Sequence, residues 1–289
     1  MGQFRSLIGR NRAPQFPIAL DFPVDPRPRY GYGKPVHARL SQIINARRGE
    51  YRSLLEQFLL YRDDIWRIQN PAGEDPRAPV WINDFLPGLD SISVYSLIRL
   101  NRPGLYLEIG SGHSTRFARR AIEDGQLGTK IISIDPKPRV EIRRVADQLI
   151  EQPVEDAGLE VFESLESGDI LFVDGSHRIF TNSDVAVVFL DILPALKPGV
   201  LVHFHDIFLP ADYPPQWNGR YYSEQYLLAC HLLGQTTSFE IVLANTFVTG
   251  DSELSSILAP LWSHPAMLTV PRHGCSFWIR IRGPVAGGC

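Results

Sequence analysis

Between residues 38 and 66, apolar side chains recur every third or fourth position: Leu40, Ile43, Ile44, Tyr51, Leu54, Leu55, Phe58, Ile65 and Trp66, with Arg, Glu and Asp between them. That spacing lines one face of a helix and predicts an amphipathic helix or a helix pair. The stripe must be buried, either on the rest of the chain or on a second subunit. Residues 1–37 are rich in Pro, Arg and Gly and read as an irregular arm. The "NPAGEDPRAP" that follows the helical stretch reads as a linker.

Beyond the linker the period alternates. "LYLEIG", "KIISIDP", "DILFVDG" and "VLVHFHDIF" read as strands, and "LEVFESL" as a short strand or its edge. "STRFARRAIEDG", "RVEIRRVADQLI", "NSDVAVVFLDILPAL" and "SEQYLLACHLLG" read as helices, the first stopped by Gly125. Strands alternating with helices predict a parallel, doubly wound α/β sheet. Two late strand-like runs, "FEIVLANTFV" and "CSFWIRIR", have no strong crossover helix between them. One late strand is therefore expected to enter antiparallel at a sheet edge.

Composition narrows the function. A net charge of −3 over 289 residues, with no long basic run, argues against a nucleic-acid partner. No run of about 18 apolar residues exists to span a membrane. The start lacks the apolar segment of a secretory signal, and its "MGQFRS" fits only a short acylation pattern that chance supplies easily. Cys230, Cys275 and Cys289 form no Cys-x-x-Cys pair, and the first two read as small core residues. A cytoplasmic protein is expected.

The strand "LYLEI" ends at Glu108 and Ile109 and turns over Gly110, Ser111 and Gly112 into a helix expected near Ser114. Glycines there let backbone approach a ligand, and the helix start points free N–H groups into the same space. A dinucleotide fingerprint fails, because Thr115 stands where the third glycine belongs. Asp135 ends the next strand and can accept from a ribose diol; its alternative role is a helix N-cap.

Taken together, "YLEIGSGHSTRFA", "ISIDP", "GDILFVDGSH" and "LKPGVLVHFHDIFLPADYP" resemble the class I S-adenosylmethionine-dependent methyltransferase family in order and spacing, over roughly residues 80–285. The resemblance implies a Rossmann-like, seven-stranded sheet with an antiparallel last strand. It makes residues 76–289 a cofactor-binding catalytic domain and residues 1–75 a helical extension. It also implies that Glu108, Gly110, Ser111 and Gly112 embrace the methionine part of S-adenosylmethionine, that Asp135 binds the ribose, and that Asp174 borders the cofactor.

Methyl transfer to an alcohol needs positioning plus a base or a metal. The fourth strand delivers Asp174 and, just beyond, His177; the fifth delivers His203, His205 and Asp206. Alternation puts His203 on the opposite face, where a satisfied core histidine is expected. Some relatives by resemblance hold a divalent ion at matching strand ends, which implies Asp174, His205 and Asp206 as ligands. The imidazole moves the preference from magnesium toward manganese, iron or zinc. Without a metal, His177 or His205 is the base, with Asp206 beside it. The loop "FLPADYPPQWNGRYYSEQY" offers Tyr213, Trp217, Tyr221 and Tyr222 to an acceptor, or packs them on the next helix. Ser223 reads as an N-cap and Glu224 as a helix-dipole residue.

The leading expectation is O-methylation of a small molecule, a secondary metabolite or a sugar, by a protein that can dimerise through its N-terminal helix. An NAD(P)-dependent oxidoreductase and a non-catalytic binding protein of the same fold are the alternatives.

Overall fold

The computed structural model describes residues 21–68, 75, 77–234 and 237–283. The acylation pattern, the arm before residue 21, most of the linker and Cys289 lie outside the described residues.

Three helices, α1 (Ala38–Asn45), α2 (Arg48–Phe58) and α3 (Arg62–Trp66), carry the N-terminal stripe. Leu40, Ile44, Tyr51, Leu55, Phe58 and Ile65 are all buried within this one chain. The stripe therefore covers the chain's own core, and these residues join the same apolar cluster as the sheet. The long helix α4 (Gly88–Asn101) was not foreseen: it is buried from Gly88 to Ile98, and Asp90, Ser91, Ser93 and Ser96 are interspersed among its apolar residues. A helix buried on every side shows no periodic stripe.

The sheet has seven strands: β1 (Leu105–Ile109), β2 (Lys130–Ile134), β3 (Gln148–Ile150), β4 (Ile170–Val173), β5 (Leu201–Phe204), β6 (Phe239–Ala244) and β7 (Phe277–Ile281). Their order is β3-β2-β1-β4-β5-β7-β6, with β7 antiparallel to both neighbours and the others parallel. This is the doubly wound, Rossmann-like arrangement with an antiparallel last strand. The central strands β4 and β5 are fully buried, as continuous apolar runs under two helical layers should be.

The helices that follow are α5 (His113–Asp124), α6 (Glu160–Glu163), α7 (Asp184–Val187), α8 (Leu193–Ala195), α9 (Glu224–Leu233), α10 (Asn245–Gly250), α11 (Ser252–Ile257) and α12 (Ala259–Trp262). A π-turn over Val188–Ile192 joins α7 to α8 where Pro194 cannot donate. Three local expectations fail. "RVEIRRVADQLI" is a 3-10 turn over Val140–Arg144 followed by β3, not a helix. Asp147 forces the change: its carboxylate accepts from Ile131 N–H at 2.7 Å, which draws residues 148–150 alongside β2. "LEVFESL", expected as a strand, is the short helix α6, since β3 already holds the sheet edge. The segment between β6 and β7, expected to lack strong helix, holds α10 to α12.

The register sets the strand ends level. Ile109 pairs with Ile134 and Val173, and Val173 with Phe204. Gly110, Asp135, Asp174 and His205 therefore leave the sheet side by side. The strand order reverses between β1 and β4, which is where such sheets bind ligands.

Candidate functional site

The glycine turn is fixed from inside. Glu108 is fully buried and accepts from Ser133 Oγ at 2.5 Å, Thr115 Oγ1 at 2.6 Å and Ser114 Oγ at 3.1 Å. Thr115 Oγ1 in turn accepts from Gly112 N–H at 2.9 Å. Burial pushes the Glu108 carboxyl up to about 7, against the pull of these three hydroxyls. Glu108 thus holds the turn from behind rather than embracing the ligand space, which corrects the expectation drawn from the resemblance. The hydroxyl at 115 explains why no third glycine is needed.

Gly110 has φ +80° and lies against the end of β4, where a Cβ would meet the Asp174 carbonyl oxygen at 2.2 Å. A side chain at Gly112 would meet no protein atom within 4 Å. Gly112 is therefore the glycine that faces open space. Asp135 accepts from Ser111 N–H at 3.1 Å, Ser111 Oγ at 2.5 Å and Lys137 N–H at 2.8 Å. It caps no helix, and it remains partly exposed beside the turn.

Three clefts meet here. A narrow one of about 90 Å³ is lined by Phe85, Ser111, Gly112, His113 and Arg139. A second, about 490 Å³, runs over Gly110, Asp135, Pro136, Val154 and Ser183. The third, about 790 Å³, lies between Trp81, Phe85, His177, Asp206, Trp217 and Tyr222. Asp174 borders all three.

Phe85 separates the narrow cleft from the large one. Its ring stacks at 6.0 Å on His113 and lies 4.9 Å under the Arg139 guanidinium, and its carbonyl accepts from His205 Nε2 at 3.0 Å. Burial, with Arg116 and Arg139 nearby, drops the His113 imidazole to about 4, so it stays neutral.

His177 is the centre of charge. It is buried, with a left-handed φ of +59°. Its Nδ1 lies 2.8 Å from Glu224 Oε2, and its Nε2 lies 3.3 Å from Asp174 Oδ1 and 3.6 Å from Asp206 Oδ2. Burial works against its charge, but Asp174 and Glu224 outweigh that and hold the imidazole well above its usual range. His177 is thus held by Glu224 at one ring nitrogen and by Asp174 and Asp206 at the other. Burial also raises Asp174, yet His205 and His177 outweigh it and hold the carboxyl at about 2. His205 is raised too: burial opposes its charge, and Asp174, Asp206 and Asp90 favour it.

The residues expected to ligate a divalent ion, Asp174, His205 and Asp206, do border one cleft. They fit such an ion poorly there, because the His177 imidazolium already stands between the two carboxylates. No step below depends on a metal.

Of the four loop aromatics, Trp217 and Tyr222 line the large cleft. Tyr213 is buried behind it, its hydroxyl accepting from Gln225 N–H at 3.1 Å. Tyr221, with φ +55° after the turn Pro215–Arg220, points outward and is half exposed. His203 is the expected core histidine, stacked on Phe172 at 3.7 Å with Nε2 2.7 Å from Ser276 Oγ. Cys230 is exposed, against expectation, and Cys275 is buried at the floor of the large cleft.

Sequence reasoning missed Glu224 and Phe85. Glu224 is 1% exposed although it opens α9 as an ordinary first-turn acid. Ser223 Oγ does not cap that helix; it accepts from Ile179 N–H at 2.9 Å. The signal that pairs Glu224 with His177 is three-dimensional: Ser223 N–H donates to the His177 carbonyl at 2.7 Å and brings α9 to the end of β4. Among described residues, no helix is long and apolar enough to cross a membrane.

Residues 107–207 match a family model described as a methyltransferase domain. No curated protein matches the chain. Among solved structures, the chain is similar to the S-adenosylhomocysteine-bound methyltransferase PaMTH1 of Podospora anserina, at 20% identity and TM-score 0.42, over 68% of this chain and 79% of that one. It is also similar to an O-methyltransferase from Bacillus cereus in complex with the same product, at 13% identity and TM-score 0.40, over 80% and 91%. Residues 107–207 thus carry a methyltransferase domain, and the order of the sheet around them is the one that the resemblance to the class I S-adenosylmethionine-dependent family implies.

Proposed function

We propose that this protein transfers a methyl group from S-adenosylmethionine to an oxygen of a small molecule held in the large cleft. The observation that carries the reading is the place of Asp174, the one side chain among those named above that borders both smaller clefts and the large one. The adenosine half of the cofactor belongs over Asp135, Pro136 and Val154, and its amino-acid half beside Gly112 and Arg139. When bound, it supplies an electrophilic methyl on a sulfonium.

The chain's own residues then position the acceptor. Trp217 and Tyr222 offer flat faces, with Arg220 lying 4.0 Å over the Trp217 ring. Such a wall suits an aromatic ring or the C–H face of a sugar. Asp174 accepts the hydrogen bond of the acceptor hydroxyl and aims its oxygen at the methyl group, and the hydroxyl proton passes to solvent as the new C–O bond forms. His177 keeps Asp174 charged beforehand, and Glu224 keeps His177 charged. The acceptor hydroxyl thus meets a fixed carboxylate on the wall of the large cleft.

Calorimetry with S-adenosylhomocysteine, followed by product mass spectrometry on a panel of phenols and sugars, tests the reading. One bound equivalent and a gain of one methyl on oxygen are expected. Binding without transfer to any acceptor would favour a non-catalytic protein of this fold. Binding of NADH instead would overturn the assignment.

A further inference from the structure

A second cluster of donors lies on the far side of Asp206 from His177. The atoms that Asp90, His205 and Cys275 can offer a metal all lie within 4.8 Å of one another, and all three side chains are buried. Asp206 Oδ1 adjoins them, 3.3 Å from Cys275 Sγ and 3.6 Å from His205 Nε2. Cys275 Sγ is also 3.4 Å from Asp90 Oδ2. We propose that Asp90, His205 and Cys275, completed by Asp206, form a binding site for a borderline transition-metal ion of the zinc type.

The donor chemistry supports the choice. One sulfur, one imidazole nitrogen and two carboxylate oxygens make a four-coordinate set for zinc or cobalt and a poor one for magnesium or calcium. The frame is rigid. Asp90 is fixed on α4 by Cys275 N–H at 2.8 Å, Ser276 N–H at 2.9 Å and Asn245 Nδ2 at 2.7 Å. Bonds of that kind orient a ligand carboxylate. His205 has a buried Nδ1 with no hydrogen-bond partner. If Nε2 gives its bond with the Phe85 carbonyl to the ion, Nδ1 can hold the remaining proton, so a neutral imidazole need only change tautomer. The thiol loses its proton to solvent. The ion then ties α4 to the ends of β5 and β7 and frees the Phe85 carbonyl at the cleft wall.

This site lies at the floor of the large cleft, and it is tested without turnover. The full-length protein is dialysed against a chelator and titrated with Co²⁺. One equivalent should bind, with a thiolate-to-cobalt charge-transfer band and the visible absorption of a tetrahedral ion, and Zn²⁺ should displace it. Cys275→Ser should lose the band and weaken binding by on the order of 10–100-fold. Asp174→Asn should keep both. Cys275→Ala replaces the serine variant if that one fails to fold. Absence of the band in the unaltered protein overturns the proposal. So does a band that survives loss of Cys275, which would place the ion on Cys230 or Cys289. Binding that needs Asp174 but not Cys275 would put the ion in the acceptor cleft and overturn it equally.

Discussion

Glu224 Oε2 lies 2.8 Å from His177 Nδ1, and both side chains are buried. This contact joins the start of α9 to the end of β4 and fixes which nitrogen of His177 faces the carboxylates of the cleft. Burial pushes the Glu224 carboxyl up, while His177 pulls it back. The histidine gains more than it loses, so its charge survives above its ordinary range.

Glu224→Gln should therefore change the pH profile as well as the rate. The folded pKa of His177 is raised, so its charged form and the stability that form gives are complete below about 6.5 and lost as pH rises through the higher folded value. If activity needs the imidazolium, the alkaline limb of the rate profile reports that loss. Removing Glu224 should move the limb to lower pH and cut kcat by roughly 10²-fold. Breaking a buried pair costs about 3–5 kcal/mol, so both proteins are compared well below their melting points. A lower rate with an unmoved limb would leave Glu224 a purely structural role.

Asp135→Ala should weaken S-adenosylhomocysteine binding by roughly 1.5–3 kcal/mol, the range for a hydrogen bond to a charged group. Asp135 also holds Ser111 and Lys137, so part of the loss comes from a loosened turn. Ser111→Ala removes only the hydroxyl bond and separates the two contributions. Unchanged affinity in a folded Asp135→Ala protein would refute a ribose contact.

Trp217 and Tyr221, neighbours in one loop, give a matched pair. Trp217 lines the large cleft and Tyr221 turns away from it. Trp217→Ala should raise KM for the acceptor by roughly 10-fold or more, and leave cofactor affinity unchanged. Tyr221→Ala should leave both constants near their original values. Equal effects at the two positions would mean the acceptor lies elsewhere.

Phe58 tests whether the N-terminal helices are part of the domain. Its ring is fully buried in the common apolar cluster. Phe58→Ala should cost about 3–5 kcal/mol of unfolding free energy, as in a core position. An extension that only bridged two subunits would instead lower dimer affinity in sedimentation and spare the melting temperature of the monomer.

What the sequence showed and what it hid have separate physical causes. The strands β1, β2, β4 and β5 were legible because buried parallel strands are short, continuous apolar runs ended by Gly or Asp. The antiparallel β7 was expected from the lack of a strong crossover pattern before it, although α10 to α12 fill that segment. Helix α4 was hidden by being buried on all sides with polar Asp90, Ser91, Ser93 and Ser96 among its apolar residues, and β3 by three residues whose pairing depends on Asp147. The site divides in the same way. Asp135, Asp174 and His177 sit at strand ends, so their position follows from local pattern. Phe85 reaches the cleft from the segment before α4 and Glu224 backs His177 from α9, and only packing brings them there. The function of Glu108 was misplaced because a carboxylate in a motif gives no sign of which side of the backbone it occupies.

Glu108 also supplies a prediction about pH and stability. Its carboxyl is raised by burial from 4.5 to about 7, so the folded state prefers the protonated form. The stability it contributes is complete below the unfolded value and is lost as pH rises through the folded one. The shift of 7 − 4.5 = 2.5 units corresponds to about 3 kcal/mol of differential stability between pH 4 and pH 8. Glutamine has nearly the same shape, can still accept from Thr115 and Ser133, and carries no charge to bury. Glu108→Gln should therefore gain stability relative to the unaltered protein as pH rises across that interval, by about 3 kcal/mol in total. Urea unfolding at pH 4, 6 and 8 measures the difference directly. The slope isolates ionisation from the constant cost of an amide among three hydroxyls, because that cost does not change with pH. A difference that stays flat would mean that Ser114, Thr115 and Ser133 hold the carboxylate charged at all three values.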